Sequence, residues 1–240
     1  MAIPGFRAEA LNATGGPLWI DSLADADPNH LLHVVRGLDP AAAVELVGGR
    51  VLRELAPGEL PAERPDDFRT PAHLVAGLDR MTDVLVAGRR GDWTFVYDAS
   101  GITGWTEDRR TMATRLSADG RVAATSSWTI NGKSSVSYTE DGETIFQITE
   151  PYDPAHDDED TPDRLRPVIE AAGRVDGTED DFEINMRIVC ALAGLTWTPR
   201  ELRAEPLLVA QVAESAFYDV LARQQQLRLA AIADLRARND

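Results

Sequence analysis

The sequence predicts an α+β protein: an antiparallel sheet with a meander and flanking short helices, followed by a helical C-terminal segment. Three observations carry this. Residues 91–150 hold four strand-like runs, beginning with Trp93-Thr94-Phe95-Val96-Tyr97. Asn131-Gly132 and Asp141-Gly142 separate the last three, and such pairs favour positive φ and close hairpins. Beyond an acidic, proline-bearing stretch at 151–163, the apolar spacing turns helical.

Residues 1–16 lack periodicity and read as a loose lead-in. The run 29–36, with Leu31, Leu32, Val34 and Val35, is a strand that ends at Gly37. Asp39-Pro40 then opens a helix, with Asp as N-cap and Pro at the first helical position, and Gly48-Gly49 stops it. The prolines and charges of 53–71 make an irregular connection. Residues 84–87 form a short strand, 88–91 a turn, and 93–97 pairs back. A glycine-containing loop, 98–105, leads to a helix capped by Thr106 and reaching about Leu116. The meander strands are 121–130, 134–139 and 143–149, the last alternating Ile145 and Gln147 against Phe146 and Ile148.

The main boundary falls in the acidic stretch. The chain therefore divides into a lead-in (1–16), a sheet-containing α+β domain (17–150), an acidic linker (151–163) and a helical segment (164–240). Within the last, 162–172 and 181–193 are helices, Thr178 caps the second and Gly194 ends it. Thr198-Pro199-Arg200-Glu201 is a capping box. Residues 206–236 read as one long helix with an apolar stripe that includes Leu207, Leu208, Val212, Phe217, Leu227 and Ile232.

Composition narrows function by exclusion. Lys and Arg number 24 against 40 Asp and Glu, a formal net charge of −16. Nucleic-acid phosphates and anionic membrane surfaces both demand clustered cations, so neither is an expected partner; a basic partner, or plain solubility, fits. The single cysteine, Cys190, permits no intrachain disulfide. With no signal-peptide pattern and no apolar run of about 18 residues, the expected setting is cytoplasmic.

No motif assembles catalysis. His156 lies among Asp153, Asp157, Asp158, Glu159 and Asp160, but there is no central glycine, and Arg164 stands where a terminal bidentate Glu belongs in a calcium loop. His30 and His33 are three apart on a strand and so face opposite ways. His73 follows Pro71 and suits the start of a helix. Cys190 lies in an apolar run and reads as core. Ser126-Ser127 and Ser134-Ser135 lack a nucleophile elbow, and Gly15-Gly16 and Gly48-Gly49 lack nucleotide-loop spacing. No cofactor is expected.

Several motifs recur together: Val35-Arg36-Gly37-Leu38-Asp39-Pro40, Gly91-Asp92-Trp93-Thr94 with Gly104-Trp105, the meander with its Pro-Tyr-Asp-Pro exit, and Leu195-Thr196-Trp197-Thr198-Pro199. Over residues 17–219 the chain resembles an actinobacterial α+β family that carries a domain-of-unknown-function label. The resemblance implies a fold and a source and supplies no catalytic residue. Asp98-Ala99 departs from that family's Glu-Pro or Glu-Asn pair, and the tail from Leu221 extends beyond it.

The leading expectation is a non-catalytic cytoplasmic interaction module of adaptor, chaperone-like or immunity type, binding a protein partner or a second copy. Trp93 and Trp128 are expected in the sheet core. Trp105, after a loop glycine, is the candidate anchor. In the tail, Leu221, Leu227, Ile232 and Leu235 would supply the apolar contact, and Arg223 and Arg228 the charge. The rival readings are a small-molecule or metal-dependent enzyme whose site draws together distant groups such as His30, His73 and Asp98, and a structural subunit of a larger assembly.

Overall fold

A computed structural model describes residues 3–24, 29–62, 69–104, 111–129, 131–150, 161–173 and 181–212. Eight strands form one antiparallel sheet: β1 (His30–Arg36), β2 (Gly49–Leu55), β3 (Val84–Arg90), β4 (Trp93–Asp98), β5 (Val122–Trp128), β6 (Ser134–Glu140), β7 (Glu143–Glu150) and β8 (Leu207–Val212). Their order is β2-β8-β3-β4-β1-β5-β6-β7. The α+β expectation holds, with seven short helices among the described residues: α1 (Leu18–Asp21), α2 (Pro40–Leu46), α3 (Pro71–Ala76), α4 (Met112–Leu116), α5 (Arg166–Ala172), α6 (Ile184–Ala193) and α7 (Pro199–Arg203).

The sheet is covered on both faces. On one, α2 and α4 pack Val44, Val47, Met112 and Leu116 against Val35, Leu85, Val96 and Ala123. On the other, α1, α5, α6 and α7 lie over Leu32, Val34, Phe95, Tyr97 and Ala124. This double cover explains the buried run of β1 and of β3, since strands apolar on both faces show no alternation.

Local signals did much of the placement. The Asp39 side chain accepts the Ala41 N–H at 2.9 Å, with Pro40 opening α2. Thr198 and Glu201 close the capping box of α7. Asp141 (φ 47°) and Gly142 (φ 78°) make the two-residue β6–β7 turn, where left-handed backbone matches strand twist.

Other expectations need correction. Residues 207–212 are not the start of a helix; they are β8, hydrogen-bonded between β2 and β3. Leu207 and Val209 face one layer while Ala210 and Val212 face the other. A run apolar on both faces satisfies the pattern of a buried strand as well as that of a helix. The 164–240 segment is thus not wholly helical, and its last described strand lies inside the sheet, next to the edge strand β2. Residues 3–16 are no loose lead-in: Ile3 and Phe6 are buried, Ala8–Ala10 form a 3-10 turn, and Gly5 N–H donates to the Ala171 carbonyl at 2.8 Å. The 53–71 stretch contains the end of β2 and the capped start of α3.

Strand β3 continues through 88–90, so the turn is Gly91-Asp92. Gly88 belongs inside the strand because the Phe95 ring lies over it: an added Cβ would come within 2.7 Å of Phe95 Cε1. Trp93 and Trp128 are mostly buried, as expected, with Trp93 packed against the larger core. The fully buried tryptophans are Trp19 and Trp197, at 0% and 3% exposure. The Trp19 ring packs edge-on against Phe95 (5.5 Å), Tyr97 (6.3 Å) and Trp197 (6.1 Å), and its Nε1–H donates to the Leu195 carbonyl at 2.9 Å.

A candidate binding face at one end of the sheet

The two ends of the sheet differ. At one end the connections are tight: Gly91-Asp92, Asp141-Gly142, 37–39 and 117–121, with 56–70 the exception. The opposite end holds the start of β1 and the ends of β4, β5, β7 and β8. This end carries the longer connections 22–29, 99–111 and 151–165 and the chain after Val212, together with the shorter links 47–48, 77–83 and 129–133. Connections carried on a rigid sheet are where binding groups concentrate.

Trp105, in the 99–111 connection, lies outside the described residues, as do Leu221, Arg223, Leu227, Arg228, Ile232 and Leu235 and most of the acidic stretch. What the structure gives is their points of departure. Trp105 follows Asp98 of β4 and the tail follows Val212 of β8, both at this end.

Two groups of polar side chains sit behind this end, one on each face. On the α2–α4 face Asp98 is fully buried. Its carboxylate accepts the N–H groups of Ser100 (2.9 Å), Gly101 (3.0 Å) and Thr103 (2.8 Å) and the Thr103 hydroxyl (2.7 Å). Burial pushes the carboxyl above its ordinary range, while the bonds it accepts pull the other way. The Thr103 Oγ1 also lies 2.8 Å from His33 Nε2, and His33 Nδ1 lies 2.8 Å from Thr125 Oγ1. Both imidazole nitrogens are therefore occupied, and burial drives the His33 pKa down to about 3. The run Asp98–Thr103–His33–Thr125 fastens the start of the 99–111 connection to β1 and β5.

On the α6 face His30 packs edge-on against Tyr97 (5.9 Å) and Trp128 (6.4 Å), with its Nδ1 3.2 Å from the Tyr97 hydroxyl. Burial lowers its pKa to about 4. His30 and His33 do point to opposite faces, as their spacing requires. His73 is elsewhere: its Nδ1 accepts the Thr70 N–H at 3.1 Å in the α3 capping box, and its Nε2 donates to the Thr82 carbonyl at 2.8 Å. Cys190 is fully buried in α6, and burial pushes its thiol up. The groups named for a composite active site are thus held apart by separate structural bonds. Among the described residues no three His, Cys, Asp or Glu side chains are grouped to hold a metal.

A cleft of about 850 Å³ opens beside this face, lined by residues that include Leu11, Asn12, Thr14, Trp128, Phe182 and Glu183. Its wall is the Trp128–Phe182 pair, with centroids 6.0 Å apart. Arg187 also lines it yet is only 1% exposed; it pairs with Asp181 and donates to the carbonyls of Ala172 (2.7 Å) and Gly15 (3.1 Å). Asn12 ties the segment together: its Oδ1 accepts the N–H groups of Thr14 and Gly16, and its Nδ2 donates to Asp21 at 2.7 Å. Sequence reasoning missed this cleft because the 3–16 segment carries no periodic signal; Asn12 four residues before Gly16 is the one local hint, an Asx-type turn.

A family model matches residues 17–196. The chain belongs to DUF6461, a family of unknown function. The matched span starts where the sequence resemblance starts and ends at Thr196, before Trp197, α7 and β8. The fold therefore draws an interior strand, β8, and a core tryptophan, Trp197, from beyond it. No curated protein and no solved structure matches the chain. Among the described residues no helix is long and apolar enough to cross a membrane.

Proposed function

We propose that this DUF6461 member is a non-catalytic protein-interaction module that works in the cytoplasm and binds through the long-connection end of its sheet. One observation carries the reading: the two sequence-nominated anchors, Trp105 and the tail, both leave from the end that also holds the aromatic cleft. The state of the polar groups supports it. A general base or nucleophile must reach its substrate, whereas His33, His73 and Cys190 are buried and Asp98 is saturated with internal donors. The net charge of −16 suits a basic partner or the arginine-bearing tail of a second copy. The lone buried cysteine supports a reducing compartment, and the alanine- and arginine-rich usage an actinobacterial source.

The test uses the full chain. Leu227→Glu with Ile232→Glu, and separately Trp105→Ala, are compared with wild type by light scattering and by capture of partners identified by mass spectrometry. A drop in mass, or loss of a specific partner with an unchanged circular dichroism spectrum, is expected. Unchanged mass and partners in both variants would overturn the reading.

A further inference from the structure

The cleft beside the long-connection end contains a carboxylate that the fold leaves short of donors. Glu183 precedes α6 and is half-buried. Its Oε1 lies 3.0 Å from the Thr14 hydroxyl. That hydroxyl is also 2.8 Å from Asn12 Oδ1, which already accepts two N–H groups, so its one proton goes to Glu183. Oε2 has no donor among the described residues and presses on the Gly16 backbone, where an added Cβ would come within 2.6 Å of it. The Arg187 charge is committed to Asp181. Burial raises the Glu183 pKa and repulsion from Asp21 and Asp181 adds to it, while the Thr14 bond and the Arg187 charge pull it down.

Helix capping does not account for this carboxylate. The acid that serves the α6 N-terminus is Asp181, whose Oδ1 accepts the Glu183 N–H at 3.2 Å; the Glu183 carboxylate faces Thr14 and Gly16 instead. A second acceptor is short of a donor behind the same wall. Asn185, fully buried and one turn after Phe182, donates to Ser134 Oγ at 3.0 Å, and Ser134 stands directly opposite Trp128 in the β5–β6 register. The Asn185 Oδ1 itself has no partner. Asn185 lies behind the cleft and does not line it; within the lining the Glu183 carboxylate stands beside two aromatic rings whose faces attract cations, and the cleft's own cation, Arg187, is held by Asp181.

We propose that the cleft binds an organic cation, the ammonium or guanidinium end of an apolar stem, with Glu183 Oε2 as its anchor and Trp128–Phe182 as the wall for the stem. This rests on the binding-module reading and names its partner chemistry: a lysine or arginine side chain, or a free alkylamine. An anion is repelled by the carboxylates, and a neutral stem leaves Oε2 unmatched.

The test titrates acetyl-Gly-Lys-Gly-amide, its Nε-acetylated counterpart and cadaverine into the full chain at about 150 mM salt, following the Trp128 indole N–H by NMR. Saturable shifts with the lysine peptide or cadaverine are expected, and binding of the acetylated peptide weaker by at least about tenfold, the size of one charge-assisted bond. Tighter binding of the peptide than of cadaverine assigns a protein side chain; the reverse assigns a free amine. Glu183→Gln, which keeps size and can still accept from Thr14, should weaken cation binding by about tenfold or more. Glu143→Gln, exposed at the tight-turn end, should leave it within about twofold. Phe182→Leu, which keeps the carboxylate and removes the ring, should also weaken it. Equal weakening by both Glu variants would show general charge attraction and overturn the assignment, as would the absence of a saturable shift. Failure here with the tail substitutions still abolishing association would sink only the cation site.

Discussion

His33 ties the stability of this protein to pH through a buried neutral imidazole. Its folded pKa is about 3 against an ordinary 6.5, because burial penalises the charged ring. For a base whose folded pKa is depressed, the unfolded chain binds the extra proton between the two values, so stability is full above about pH 6.5 and falls as pH drops toward 3. Between about pH 6.5 and 4.5 the depression spans about two units, and at about 1.4 kcal/mol per unit His33 alone removes roughly 3 kcal/mol. His30, lowered to about 4, adds a loss of the same sign. Asp98 and Glu183, both raised, act oppositely: their contribution is present at low pH and lost as pH rises through their folded pKa. Comparison with His33→Gln isolates the imidazole, since glutamine keeps a donor and an acceptor for Thr103 and Thr125 without titrating. Urea unfolding followed by tryptophan fluorescence at about pH 7 and pH 4.5 should show wild type losing about 3 kcal/mol more than the variant. Identical pH dependence in the two proteins would refute the reasoning.

Three further outcomes follow from packing. Trp19→Ala should cost about 3–5 kcal/mol in urea unfolding, and Trp19→Phe clearly less, since the first removes the whole indole from between Phe95, Tyr97 and Trp197. Equal costs would place the effect in the lost bond to Leu195 rather than in packing. Gly88→Ala should destabilise by about 1–3 kcal/mol, because its methyl meets the Phe95 ring and Leu207; a neutral result would mean the ring moves freely. Ser126→Ala should be neutral or slightly stabilising by thermal melting, since the Ser126 Oγ is buried without a partner. A loss of more than about 2 kcal/mol would show that this hydroxyl is bonded in solution.

The fold was legible where local chemistry dictates local structure. Asp39-Pro40, Thr198 with Glu201, Gly194 and Asp141-Gly142 each force a start, a stop or a turn within a few residues, and each stands as read. Legibility failed where tertiary context decides. Leu207–Val212 is apolar on both faces, and only the free space between β2 and β3 makes it a strand. Trp93 and Trp128, at the ends of their strands, keep a partly exposed edge, while Trp19 in a four-residue helix is fully buried in the larger core. The candidate site was legible only in its parts. His30, Asp98 and Trp128 could be named singly, but their shared end of the sheet follows from strand order, and the cleft depends on Asn12 and Glu183, far apart in sequence.

Hydrogen–deuterium exchange on the full chain, with and without a lysine- or arginine-rich peptide selected for binding, locates the binding face directly. Binding through the long-connection end predicts added protection in residues 8–16, 99–111 and 181–187 and in the tail after Val212, with Gly91-Asp92 and Asp141-Gly142 unchanged. Protection confined to those two tight turns would contradict it.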